Sequence, residues 1–465
     1  MSEVEHSSPA DAPERTSAGE RKRALPLRRP RLTVAAVLAA VLAAGAVFYA
    51  TAMSGDGVLG PFGAFPAPIA THPPLGPARQ LATLRGTVKI TGGLALQEDD
   101  ASRLRAINLH TGKVYWEVRR DDTITEWDLD PAGAVFIAWD SGRVERVDVR
   151  SGKPRWHRRF AGSLRGLGDG VRLSGSGTGP VTVGTAGWKH HQYEGWLFFL
   201  DRETGRERWR TKAFSDTACA VGSKESVQHA FPFADTLVVT EDCRGERDPG
   251  RLTAYDATGH RRWQLDLRTL AASPADRTYN VDLTQIDDRL LALTNRGYGQ
   301  GDVLVDAITG RAAREIPDQA SIPDKNDERP TGPLNVSACW APDAKAGDLA
   351  RPYLCAQDLS GKRLWTVHLP EGFRRAGDRF STFDGRLYAV LTHTGLTDEV
   401  DVPDRQQVAV FDLRTGRLLG RIPLSQGGAT PIPQEVAVEV SDVADGIVSV
   451  TYRSPDGRYA KLFAA

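Results

Sequence analysis

A chain of 465 residues exceeds the usual size of one compact domain, and its 59 basic and 59 acidic side chains cancel. That balance argues against a nucleic-acid surface, which needs a basic excess. Ten tryptophans is a high count, and their placement along the chain is regular.

Residues 1–31 are rich in Ser, Pro, Glu and Arg and nearly devoid of large apolar side chains, so a disordered tail is expected. Its basic end serves as a topology signal and a contact for lipid headgroups. Residues 32–53, "LTVAAVLAAVLAAGAVFYATAM", form an uncharged apolar run of about one bilayer thickness, which predicts a transmembrane helix. Arg21, Lys22, Arg23, Arg28, Arg29 and Arg31 precede it, and Asp56 is the first charged residue after it. This asymmetry predicts a single-pass protein of the cell membrane, with a cytoplasmic N-terminus and everything after residue 53 outside. Ala50-Thr51-Ala52 offers a cleaved signal peptide as the competing reading, but the run is longer than a signal h-region of roughly 7–15 residues. The glycines and prolines of residues 54–77 predict a partly flexible, partly extended linker that holds the rest away from the membrane.

From residue 78 a repeat takes over. Its turn glycines are Gly112, Gly152, Gly205, Gly259, Gly310, Gly361 and Gly416, each preceded by Ser or Thr. Three or four residues earlier stands Asn108, Asp148, Asp201, Asp256, Asp306, Asp358 or Asp412. Four residues after the glycine come Trp116, Trp156, Trp209, Trp263 and Trp365, while the fifth and seventh repeats carry Arg314 and Gly420 there. The pattern is a β-hairpin. Aspartate and the hydroxyl bond the turn backbone, glycine supplies a positive φ, and tryptophan is a flat ring able to wedge between sheets. Further apolar strands such as "DTLVVT" and "DGRLYAV" complete units of about four short strands, the signature of propeller blades. The end of the chain supplies three strands after the last hairpin, and "RQLATL" at residues 79–84 is expected to be their fourth. Pairing the two ends removes exposed sheet edges. The predicted fold is therefore all-β, an eight-bladed propeller over residues 78–465, with seven blades as the alternative.

Cys219, Cys243, Cys339 and Cys355 all fall on the predicted outer side, where an even number suggests disulfides. Spacings of 24 and 16 residues fit bridges between neighbouring strands, pairing Cys219 with Cys243 and Cys339 with Cys355. Free buried thiols are the other reading, and no close C-x-x-C pair suggests zinc.

The repeated "A-x-D-x-x-T-G-K-x-x-W" pattern, seen as "AINLHTGKVYW" with Asn108 in place of Asp, resembles the tryptophan-docking motif of the PQQ-like, quinoprotein-type propeller repeats. The resemblance implies that the repeated residues tie blades together. It also implies one of two functions, either a pyrroloquinoline quinone and calcium dehydrogenase of alcohols or sugars, or a propeller without quinone that scaffolds or senses in the envelope. The enzymes of that family typically hold the quinone under an adjacent-cysteine disulfide, and this sequence has no Cys-Cys pair. Trp127, Trp139, Trp188, Trp196 and Trp340 stand outside the docking position and are expected to pack within or between blades.

No compact catalytic motif occurs. His190 and His191 are neighbours, which on a strand point to opposite faces and make a poor metal pair. The acidic run Asp324 to Glu328 lacks the glycine and terminal glutamate of a calcium loop, and "GSGTG" at 175–179 lacks the lysine of a phosphate loop. Asn335 heads an "NVS" sequon that is not expected to be used in a bacterial protein. The expectation is an extracytoplasmic propeller that binds a protein or envelope component without catalysis, with no catalytic, metal or cofactor residues assigned. Its contact surface is expected around residues 186–196 and 318–335.

Overall fold

The computed structural model describes residues 57–130, 132–160, 181–189, 192–213, 219–221, 230–233, 235–243, 251–266, 281–285, 289–295, 302–316, 334–339, 353–358, 362–370, 373–393, 406–424, 437–454 and 457–465. The expected tail at 1–31 and membrane span at 32–53 lie outside these residues, as do the motifs at 175–179 and 324–328, Trp340 and Gly361. Among the described residues no helix is long and apolar enough to cross a membrane.

Short alternating and apolar runs separated by Gly, Asp and Asn turns give antiparallel strands. Strands β1 (Gly57–Leu59) and β2 (Arg79–Arg85) come first in the chain. The first sheet holds β3 (Val88–Thr91), β4 (Leu94–Asp100), β5 (Arg103–Asn108) and β6 (Lys113–Arg119), in sequence order, with β1 added outside β6. The second holds β7 (Ile124–Asp130), β8 (Ala134–Trp139), β9 (Arg143–Asp148) and β10 (Pro154–Arg159).

The third sheet has eight strands. Its first group is β11 (Val181–Lys189), β12 (Gln192–Leu200) and β13 (Glu207–Ala213). Its second is β14 (Cys219–Val221), β15 (Ala230–Phe233), β16 (Thr236–Cys243), β17 (Arg251–Asp256) and β18 (Arg261–Asp266). One parallel pair, Ala213 with Val221, joins the groups.

Next come β19 (Val281–Gln285), β20 (Leu290–Asn295), β21 (Asp302–Asp306) and β22 (Ala312–Ile316), then a three-stranded sheet of β23 (Leu334–Cys339), β24 (Tyr353–Asp358) and β25 (Arg363–His368). Strands β26 (Phe373–Phe383), β27 (Arg386–His393), β28 (Gln406–Asp412) and β29 (Leu418–Pro423) form the next sheet. The last contains β30 (Ala437–Ala444), β31 (Ile447–Ser454) and β32 (Gly457–Ala464). Its outer strand is β2, paired with β32 from Arg79↔Ala464 to Arg85↔Tyr459. The strand expected at residues 79–84 does close the two ends of the chain together.

The core lies between sheets. One cluster joins Leu94, Leu96 and Trp116 of the first sheet to Val135, Ile137 and Trp139 of the second. Another joins Val88 and Ile90 to Ile447, Ala460 and Leu462 across the closure, and a third joins Val390, Val408 and Val410 to Val438, Val450 and Phe463. Each sheet is too thin to bury both faces alone, so its stability depends on its neighbours.

Charged ties reinforce the early interfaces. Glu145 is fully buried and takes a forked hydrogen bond from Arg120, at 3.1 and 3.2 Å. Arg202 donates to buried Asp130 at 3.0 Å, and Arg146 holds Glu203 through two bonds of 2.6 and 2.8 Å.

Residues 57–77 are not the expected linker. β1 pairs with β6, Phe62 N–H donates to Tyr115 O at 2.8 Å, and Ala70 N–H donates to Asp445 O at 3.3 Å. Phe65 packs edge-on to Tyr115 with the Arg150 guanidinium 4.8 Å from its ring centroid, while Pro66, Pro73 and Pro74 are buried. Composition rich in Gly and Pro describes a chain without internal hydrogen bonds, and such a chain can also lie extended against a preformed surface.

Candidate functional site

The repeated turn builds the same joint at successive interfaces. In the five-residue turns the glycine N–H donates back to the aspartate carbonyl, at 2.8 Å for Gly152→Asp148, Gly205→Asp201, Gly310→Asp306 and Gly416→Asp412. The glycines have φ between 65° and 71°, a region that favours glycine. The aspartate carboxylate is filled locally: Thr204 N–H and its hydroxyl each donate to Asp201 at 2.8 Å, and Thr415 does the same to Asp412. This closure leaves the carbonyl of the residue after the aspartate pointing out of the turn. The tryptophan of the preceding sheet uses it. Trp116 Nε1 donates to Val149 O at 2.6 Å, Trp156 to Arg202 O at 2.9 Å, Trp263 to Ala307 O at 3.0 Å and Trp365 to Leu413 O at 2.9 Å.

The indole lies flat on the glycine. A Cβ on Gly205 would stand 2.5 Å from the Trp156 ring, and one on Gly310 would stand 2.5 Å from Trp263. The glycine is therefore required twice, for its φ and for the approach of the ring.

Trp209 departs from the pattern. Its turn, Asp256-Ala257-Thr258-Gly259, is one residue shorter, and Gly259 N–H reaches Asp256 O at 3.0 Å as a four-residue turn. The turn lacks the residue whose carbonyl would accept, and Trp209 Nε1 is buried without a partner among the described residues. Its ring packs instead near Tyr255, with centroids 5.0 Å apart, and Phe199 at 5.7 Å. Gly112 receives no ring, because β2, the strand before it, carries no tryptophan. The accepting carbonyls are invisible to a residue-type pattern, although the alternation of turn lengths was a readable signal.

The turn carboxylates are strongly acidic. Partial burial pulls Asp201 up, but bonds from Arg208 and Thr204 outweigh it and hold the group down at about 2. Bonds from Thr258, above all, hold Asp256 at about 2. Asp148, Asp306 and Asp412 are lowered too. For Asp148 and Asp306 the bonds overcome burial, and for Asp412 the Thr415 hydroxyl leads.

The remaining tryptophans are structural where described. Trp139 is fully buried, Trp127 Nε1 donates to Glu98 at 3.1 Å, and Arg210 lies 5.1 Å from the Trp196 centroid. Trp188 pairs with Tyr193 in the long β11–β12 hairpin, whose connection is His190-His191. Cys219 stands directly opposite Cys243 in the β14–β16 register. Cys355 is buried and disulfide-bonded, two residues along β24 from Tyr353, the partner of Cys339. Among the described residues no group of three or more His, Cys, Asp or Glu side chains is arranged to hold a metal ion.

A family model described as outer membrane protein assembly factor BamB matches residues 140–320. These repeats belong to the PQQ-like family. No curated protein matches the chain. Among solved structures, BamB from Moraxella catarrhalis is 16% identical, with 83% of this chain and 100% of that one covered at a TM-score of 0.43. The quinohemoprotein alcohol dehydrogenase of Comamonas testosteroni is 14% identical, with 84% and 76% covered at 0.43. The C-terminal WD40 domain of Sif2 is 12% identical, with 84% and 99% covered at 0.44. At these identities and scores none of them carries a function to this chain. At the joints of Trp116, Trp156, Trp263 and Trp365 the indole N–H is spent on the neighbouring sheet, and the turn carboxylates that they meet are spent on the turn.

Two outcomes follow from the joint. Trp156→Phe strands a buried carbonyl and should cost about 1–3 kcal/mol more than Trp209→Phe, which loses no hydrogen bond. Equal shifts in urea midpoint for the two variants would remove the role assigned to turn length. Lowered carboxylates stabilise the fold above their ordinary range near 4, and this contribution is lost as pH falls toward 2. Asp201→Asn should therefore weaken the protein at pH 7 yet lose less stability than the wild type between pH 4 and pH 2. Parallel acid-unfolding curves would contradict this.

Proposed function

We propose that the chain is a membrane-anchored, extracytoplasmic propeller that binds a protein or envelope component without catalysis. The observation that carries this reading is the contrast between the two ends of the sheets. At the end bearing the docking turns, the hairpin connections within the described sheets are two to six residues long. At the other end the connections include 267–280, 340–352, 394–405 and 424–436, of 14, 13, 12 and 13 residues. One end is frame. The other carries the longer connections, the kind of segment from which a rigid scaffold builds contact surfaces. Strands β11 and β12, within the expected contact stretch 186–196, turn back at this same end, whereas Leu334 of the expected stretch 318–335 pairs with Asp358 beside a docking turn and residues 318–333 lie outside the described residues.

Reading the eight-stranded sheet as two units supports eight blades over the alternative of seven. The family model's description as an assembly factor supports a scaffold. The apolar run at 32–53 and its basic flank support the anchor and the extracytoplasmic location. The described residues present neither adjacent cysteines nor a metal-holding cluster that would fit a quinone–calcium site, so no chemistry is routed through one.

Replacing 340–352 and 394–405 with Gly-Ser segments of equal length should abolish cross-linked partner capture while leaving the thermal midpoint unchanged. Undiminished capture would move the surface elsewhere. A dose-dependent rise in thermal midpoint with pyrroloquinoline quinone and calcium would replace the scaffold with a dehydrogenase.

Disulfides pairing Cys219 with Cys243 and Cys339 with Cys355 are part of the same proposal. Both pairs lie at the loop end, where they fasten the strands that bear 244–250 and 340–352. Peptide mapping without reductant should recover these two cross-linked pairs, and any other connectivity would refute the assignment.

A further inference from the structure

Gly420 occupies the position that holds tryptophan in five repeats, and the Leu75 carbonyl lies where its Cβ would be. A tryptophan at this site would need a turn in the next sheet to dock on. The closure sheet has none there, because its third strand ends at Ala464 and its fourth begins at Arg79. The joint made by Trp116, Trp156, Trp263 and Trp365 therefore has no acceptor at this interface.

We infer that the turn end of the sheets carries a groove for one extended, glycine- and proline-rich chain, and that residues 60–78 fill it in cis. This strap replaces the missing turn and locks the closure sheet to both neighbours. Its path supports the assignment. Residues 60–67 lie on the first sheet, against Tyr115, Trp116, Gly92 and Gly93. Ile69 joins the core between the first and closure sheets, and Ala70 sits on the Asp445-Gly446 turn of the closure sheet. His72 then lies 3.7 Å from Asp384 on the β26–β27 turn, and Leu75 crosses Gly420 of β29. Ala78, 2% exposed, enters the core between these last two sheets just before β2 begins.

The groove is read through backbone. Strap atoms lie where side chains of Gly92, Gly93, Gly420 and Gly446 would begin: the Phe65 ring, Ala67 O, Leu75 O and Ala70 N. His110 Nε2 also meets Ala67 O at 2.8 Å. Proline suits such a strap because it brings no N–H that would need an acceptor, and its fixed φ lowers the entropy lost on docking. The first sheet and the last two sheets of the chain thus share one filament.

The test is hydrogen–deuterium exchange of the full chain, read over residues 62–76. Gly420→Ala places a methyl group on the Leu75 carbonyl and should speed exchange there by about tenfold or more. Gly76→Ala, with open space around it, should leave it unchanged. Phe65→Ala loosens the strap from its own side and adds no atom to the sheets, so it should also speed exchange over 62–76 while β8 and β9 stay protected. Exchange over 62–76 that is as fast in the wild type as in an unstructured peptide, or that neither Gly420→Ala nor Phe65→Ala accelerates, would overturn the inference.

Discussion

The geometry of one turn governs the whole assembly. Five residues from aspartate to glycine close an i→i+4 hydrogen bond, and this closure leaves one carbonyl facing outward at a fixed place. The indole N–H of the preceding sheet finds that carbonyl, and its ring finds a glycine with nothing to obstruct it. Polar satisfaction and apolar burial are thus achieved by the same side chain. A thin four-stranded sheet can bury its face only against another such sheet, so a joint that sets their spacing also sets the core. The clusters between sheets follow from it, with Trp116, Trp156 and Trp365 as members.

Where the turn changes length, the joint changes kind. Removing one residue at Asp256–Gly259 takes away the acceptor, and Trp209 keeps only its ring contacts. At that interface the parallel pair of Ala213 with Val221 adds a main-chain connection. Ion pairs such as Arg202–Asp130 and Arg120–Glu145 tie other neighbours, and because both partners are withdrawn from water, losing either one would leave an uncompensated buried charge. The ring is held by several chemistries of unequal strength rather than by seven equal copies of one.

The closure is the place where a repeat cannot repeat. Its outer strand comes from the other end of the polypeptide, so no turn connects it to its neighbour. The chain that arrives there has already crossed the docking ends of three sheets. This arrangement commits the turn end to holding the molecule together, and the proposed contact surface falls at the end with the longer connections.

The hairpins, their glycines and tryptophans, the all-β class and the pairing of residues 79–84 with the last strand were all legible in the sequence. Each depends on local chemistry: a carboxylate three or four residues from a glycine, alternation along a strand, and an unpaired strand at each end of the repeats. The opposed Cys219 and Cys243 were legible for the same reason, since neighbouring strands fix their register. The expected linker at 54–77 failed where it meets the sheets, because glycine and proline report only that a segment lacks internal hydrogen bonds. They do not report whether a surface elsewhere will receive it. Gly420 looked like a defect in the seventh repeat, and only its contact with Leu75 shows that a side chain there would block the strap. Sequence by itself determined the repeating unit, because that unit is closed by residues near one another in the chain. Tertiary structure alone decided how the ends are locked, because that lock is made of backbone atoms brought together from opposite ends of the polypeptide.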